Sequence, residues 1–216
     1  VIAHISATYS LNGFQMPADR QFLVDLIDPE AIVEEARIAK EAGAEFVVVS
    51  LHWGAEYRHE PIQSQIDWLD AILPTDEVDL VIGHHAHVVQ PVDKVGDEWV
   101  VFGIGNFLSN QSANCCVAAS QDGMIATIEL LENDAGEIEA IGVHYIPTWV
   151  DRADGYVIRI SEPGRTDVPE ATATTLETSY NRTLEVVSSR LGAADGLTIG
   201  FGLEPGASSV LPAAAE

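Results

Sequence analysis

Two short apolar runs, EFVVVSL over Glu45–Leu51 and a second over Val78–Ile82, flank one helix-period stretch, and this spacing constrains the fold more than any other feature. Runs that are apolar at nearly every position suit strands covered on both faces rather than half-exposed ones. Between them, Pro61–Leu73 places Ile62, Ile66, Leu69 and Leu73 at helical spacing. Strand, helix and strand in that order predict a parallel crossover, with functional groups gathered at the carboxyl edge of the sheet. A preceding helix is predicted over Pro29–Ala42. Asp28 suits its N-cap, Pro29 its first position and Lys40 its last turn, and Gly43 marks its stop. The fold class is therefore α/β.

After residue 88 the rhythm changes. VVQPV, a turn over Lys94–Asp97 containing Gly96, and EWVVFGIG read as a hairpin. Met124–Leu131 and Ile138–Ile146 read as two antiparallel strands across the polar turn Glu132–Glu137. The division expected is a main domain over 1–160, followed by a 161–216 region of loop, helix and tail. Within it, Ser161–Thr175 has loop composition, Leu176–Leu191 a helical pattern, and 203–216 the look of a mobile tail.

Charge narrows the function. The chain holds 34 Asp and Glu against 10 Lys and Arg, a formal charge of −24, which argues against nucleic acid as a partner. Such a surface also repels other anionic polymers unless a cation or a local positive patch intervenes. Apolar residues make up 47% of the chain, enough for a core, and no apolar run approaches the roughly 20 residues that span a bilayer. The adjacent Cys115 and Cys116 fit neither an unstrained disulfide nor the usual zinc spacings, and read as loop or partly buried thiols.

The chemistry concentrates at two strand ends. His52 directly follows the first apolar run, and His84, His85 and His87 follow the second, so parallel neighbouring strands would bring them together. Neutral imidazoles are common transition-metal ligands, and an HxH spacing on extended backbone can aim two rings at one ion. Carboxylates are scarce around them. Asp19, Asp25 and Asp28 read as loop or capping residues, and Glu56 as a residue that orients a histidine rather than a direct ligand.

VVVSLHWGAEY over Val47–Tyr57, DLVIGHHAHVVQPV over Asp79–Val92 and VVFGIGNFLSNQ over Val100–Gln111 together resemble the CapA family. VIAHISATYSLNG resembles that family's opening strand and loop, and QDGMI and IPTWVDR resemble versions found in actinobacterial members. Members of this family are linked to poly-γ-glutamate capsule biosynthesis and are built on the calcineurin-like metallophosphoesterase fold. The resemblance implies the C-terminal half of an αββα sandwich with a mixed sheet, a divalent metal such as Mn, Zn or Fe, and a cell-envelope or extracellular location. It implies His52, His85 and His87 as metal ligands, His84 as the catalytic group, and Glu56 and Asn106 as supporting or ligand-binding residues. The HHAH motif aligns in two registers, so His84 and His85 can exchange these roles. The family's upstream GD and NNH blocks, which would add carboxylates, an Asn and another His, have no counterpart here. Either the missing half of the same protein supplies them, or the chain is a relative that cannot hold two metals.

Three functions follow as expectations. One is binding, export or anchoring of polyglutamate through a metal; another is metal-dependent hydrolysis of a phosphorylated or amide substrate; the last is an acidic globular domain whose histidines hold no metal.

Overall fold

The computed structural model describes residues 1–191 and 196–200. Asp28 accepts hydrogen bonds from the backbone N–H groups of Glu30 and Ala31, and Pro29 fills the first turn, so α1 runs Pro29–Glu41. Its buried side chains Ile32 and Ala36 join a core with β1 (Ile2–Thr8) and β2 (Phe46–His52). From β2 the chain crosses through α2 (Gln63–Ile72), which packs beside α1, to β3 (Leu80–His84). The crossover is parallel as predicted, in a register from Val48 opposite Leu80 to His52 opposite His84. β4 (Val92–Val95) and β5 (Glu98–Val101) form the expected antiparallel hairpin, and β5 lies parallel to β3. The resulting sheet is mixed, in the order β1-β2-β3-β5-β4.

α1 and α2 cover one face of this sheet, where Val47, Val49, Leu51, Val81 and Phe102 are fully buried. Each such side chain contributes roughly 1.5–3 kcal/mol of burial. The other face carries Phe46, Leu80, Val92 and Trp99 into a second core shared with β6 (Asp122–Glu132) and β7 (Ile138–Asp151). β8 (Val157–Ile160) and β9 (Leu197–Ile199) extend that second sheet by pairing with β7. The Trp99 indole N–H donates to the Ala140 carbonyl at 3.0 Å, tying the two sheets together. The fold is thus the α/β sandwich expected, with a mixed sheet.

The last helix differs from expectation. α3 spans Glu170–Val187, starting six residues before Leu176 and ending before Leu191. Thr174 and Thr175, in the stretch read as a loop, are accommodated because each returns its hydroxyl to the carbonyl four residues back, as Thr178 also does further along. α3 packs on β6 and β7, and its Arg182 and Ser179 both donate to the buried Asp122 carboxylate, at 2.6 and 2.8 Å. Burial drives the Asp122 pKa up, opposed by the Arg182 guanidinium. The stretch 203–216 lies outside the described residues.

At the amino edge of the first sheet, Glu98 opens β5 close to Asp79, Lys40, Asp97 and Asp76. Burial and then the Asp79 carboxylate push its pKa to about 7 from an ordinary 4.5, against the pull of Lys40. The folded state therefore holds this proton more tightly than the unfolded chain. The stability it confers is complete below pH 4.5 and lost as pH rises through about 7. Glu98→Gln is expected to be more stable than the parent at pH 8, by about 1 kcal/mol after allowance for solvent screening of a half-exposed group, with no gain at pH 4. Urea unfolding at the two pH values checks this; an equal difference at both would contradict it.

Candidate metal centre at the carboxyl edge of the parallel sheet

The parallel register sets Thr8, His52 and His84 side by side at the ends of β1, β2 and β3. Thr8 is a residue the sequence reading missed. Its hydroxyl donates to the Ser10 carbonyl at 2.9 Å and so accepts from His52 Nδ1 at 3.0 Å. That pairing favours the Nδ1–H tautomer of His52, in which Nε2 keeps its lone pair. The signal was present only in the strand register, which places Thr8 opposite His52.

Asn106 does the same for His87. Its amide nitrogen faces the carbonyls of His87 and Ser120, at 3.2 and 2.8 Å, so its oxygen is the atom 2.9 Å from His87 Nδ1. His87 is thereby held as the Nδ1–H tautomer with Nε2 free. Tyr57 stacks on the His87 ring, with centroids 6.1 Å apart, and its backbone N–H donates to the Ala86 carbonyl.

His85 stands between the two. Its ring is 4.6 Å from that of His52 and 6.2 Å from that of His87, and Tyr9 packs on it at 4.7 Å. The backbone here is not the extended HxH geometry expected: φ is +94° at His85 and +57° at His87. Two residues with positive φ around the buried Ala86 make a bend instead, a conformation that costs of order 1–3 kcal/mol per residue and persists only where the surroundings enforce it. Among the described residues, no three His, Cys, Asp or Glu side chains converge as a complete metal-binding set.

The electrostatics favour neutral rings. Burial, followed by the neighbouring His87, lowers the His52 pKa; burial, then His52 and His4, lowers that of His84. For His85, burial and His52 lower it while Glu56 opposes them. Glu56 is exposed and makes no hydrogen bond to a histidine among the described residues, so it acts on His85 through its charge. His84 is half-buried and, with His52, Ser50 and Asp25, lines an open pocket of about 430 Å³. Cys115 and Cys116 are free thiols, the first exposed and the second half-buried. They adjoin this cluster through Tyr57, whose hydroxyl pKa is pushed up to about 12 by its hydrogen bond with Cys116.

As a fit for a divalent cation, the donor set is sound in kind and short in number. His52 and His87 each keep Nε2 available through a bond at Nδ1, His85 packs on His52, and among the described residues no carboxylate joins them to complete a set.

A two-sheet α/β protein with an imidazole cluster at the carboxyl ends of its parallel strands is the class defined by this fold and site. The family model described as bacterial capsule synthesis protein PGA_cap matches residues 3–111, just over half of the chain and all of the histidine cluster, and the chain belongs to that family. It is 29% identical over 119 residues to the PGA biosynthesis protein CapA of Bacillus subtilis (strain 168), covering 54% of this chain and 30% of that protein. With the capsule biosynthesis protein CapA of Bacillus anthracis it shares 27% identity over 109 residues, 50% of this chain and 25% of that one. The chain thus spans under a third of the length of either relative. Among solved structures it is similar to a Thermus thermophilus sulfate thiohydrolase SoxB in complex with glycerol, with a TM-score of 0.44 and 20% identity over 85% of this chain and 26% of that one. It is also similar to the calcineurin-like phosphoesterase YfkN from Bacillus subtilis, with a TM-score of 0.39 and 16% identity over 77% of this chain and 46% of that one.

Proposed function

We propose that this chain contributes one half of a divalent-metal site with which a cell-envelope protein engages poly-γ-glutamate during capsule assembly. The observation that carries the reading is the contact that each of His52 and His87 makes at Nδ1, to Thr8 and Asn106, which leaves both Nε2 atoms available for coordination beside His85. Ligating imidazoles regularly carry such a bond at the nitrogen that faces away from the metal. The bound metal would supply positive charge and Lewis acidity to carboxylate or phosphoryl oxygens. The chain's own residues do the positioning: Thr8 and Asn106 orient the rings of His52 and His87, Tyr9 and Tyr57 pack on the cluster, and burial lowers the pKa of His52, His84 and His85 and so favours their neutral forms.

The remaining donors are assigned to a part of the protein outside this chain. Consistent with a covered surface there, Phe14 and Phe22, in the segment between β1 and α1, are 82% and 77% exposed, and apart from a bridge between Thr8 and Leu26 the outer edge of β1 has no neighbouring strand among the described residues. An envelope location is proposed with the family role. Among the described residues no helix is long and apolar enough to cross a membrane.

A −24 chain repels a carboxylate polymer unless a cation bridges them, so the full-length protein is expected to bind poly-γ-glutamate in the presence of Mn or Zn and to release it on chelation. Sedimentation or titration binding measures this, and chelator-insensitive binding at full strength would contradict the metal-bridged mode. A hydrolytic reading rests on half-buried His84 beside His52. Metal-stimulated turnover of a generic phosphodiester, lost in His87→Ala, would replace the binding role with a catalytic one.

A further inference from the structure

Of the ten Lys and Arg residues in this acidic chain, seven lie within 4.0 Å of a carboxylate, leaving Arg58, Lys94 and Arg152 without such a partner among the described residues. Lys94 sits over the Trp99 ring. Arg152 is different, because it is half-buried and held entirely by neutral groups. One terminal nitrogen donates to Ser112 Oγ at 2.6 Å, the other to Asn110 Oδ1 at 2.9 Å, and its buried Nε has no hydrogen-bond partner. Tyr156 braces the arrangement by donating its hydroxyl to the same Asn110 oxygen at 2.9 Å. A guanidinium that is positioned but not neutralised, within a chain that neutralises most of its cations, keeps its charge available to an outside anion.

That charge borders an open pocket of about 490 Å³ lined by Ser112, Asn114, Gln121, Trp149, Arg152 and Tyr156. The one carboxylate in its wall, Asp151, is already engaged by Arg159 at 2.8 Å and by the Asp154 N–H. Trp149 offers an apolar surface to methylene groups, and Asn114 and Tyr156 offer polar ones. The segment 106–121 supplies Asn106 to the histidine cluster and Ser112, Asn114 and Gln121 to this pocket, so the two places share one support.

We infer that the Arg152 pocket is a carboxylate-binding subsite that holds a glutamyl carboxylate of the polymer while the histidine cluster engages another part of the chain. The inference rests on the proposed polymer role but not on the metal. Carboxylate is favoured over phosphate because a single guanidinium with one apolar wall suits a monoanion on a short methylene arm better than a dianion.

The test is isothermal titration of the natural full-length protein, once with Mn and once with chelator, using a short γ-linked glutamate oligomer, the corresponding glutamine oligomer and inorganic phosphate. With Mn the glutamate oligomer is expected to bind and the glutamine oligomer not to bind, and with chelator the glutamate oligomer should keep only weaker, Arg152-dependent binding. Arg152→Gln should weaken binding by roughly tenfold or more, and Arg152→Lys by less. Because Arg152→Gln also removes bonds to Ser112 and Asn110, Ala153→Glu at the exposed rim provides a second variant that adds a repelling charge without touching them; it should weaken binding comparably. Unchanged affinity in both variants, equal binding of the glutamine oligomer, or phosphate outcompeting the glutamate oligomer would each overturn the subsite. Binding that is chelator-sensitive yet indifferent to Arg152 would overturn this inference alone, whereas Arg152-dependent binding that ignores chelator would overturn the metal bridge alone.

Discussion

Gly83→Ala is expected to destabilise the protein by about 3–5 kcal/mol, a large fraction of the roughly 5–15 kcal/mol that holds an ordinary domain folded. A Cβ at this position would lie 1.8 Å from the Phe102 carbonyl oxygen and 2.3 Å from Trp53 Nε1. Those two atoms are themselves joined, the indole N–H donating to the carbonyl at 2.9 Å, and both residues are fully buried. Neither clash can be relieved by rotating a flexible side chain. Phe102 contributes backbone, and its displacement would move the strand exit that leads to Asn106, while Trp53 is sandwiched between Trp68 and Phe102. Gly83 also immediately precedes His84, so the substitution acts on the histidine turn as well as on the core. Urea unfolding followed by tryptophan fluorescence measures the loss; a change below 1 kcal/mol would show that β3 and β5 can separate more easily than their packing indicates.

Much of this arrangement was legible from residue order. β2 and β3 were visible because each is apolar at nearly every position, and α1 because Asp28, Pro29 and Lys40 mark its ends. Their parallel pairing then followed from the intervening helix, and with it the meeting of His52 and His84. What was not legible depends on tertiary context. The left-handed backbone at His85 and His87 is imposed by tertiary context, since even histidine, which tolerates it better than most residues, adopts it rarely, so an HxH motif gave no warning. Thr8 as the partner of His52 requires the register of β1 on β2, and Asn106 as the partner of His87 requires the return of the chain after β5. The early start of α3 was hidden by threonines whose hydroxyl bonds are satisfied within the helix, and short β8 and β9 carry too little pattern to stand out.

The largest functional effect is expected at the histidine cluster itself, and metal content by elemental analysis tests it most directly. The full-length protein should carry Mn, Zn or Fe in stoichiometric amount, because upstream donors would complete the imidazoles fixed by Thr8 and Asn106. His85→Ala and His87→Ala should each remove most of it, while Asn106→Ala should lower metal affinity by roughly 10–100-fold through loss of the His87 tautomer. The chain studied alone should bind metal far more weakly, since no complete donor set converges among its described residues. Stoichiometric metal that disappears with His85 and His87 would establish the shared site. A full-length protein free of metal, or one whose metal is untouched by either substitution, would contradict it.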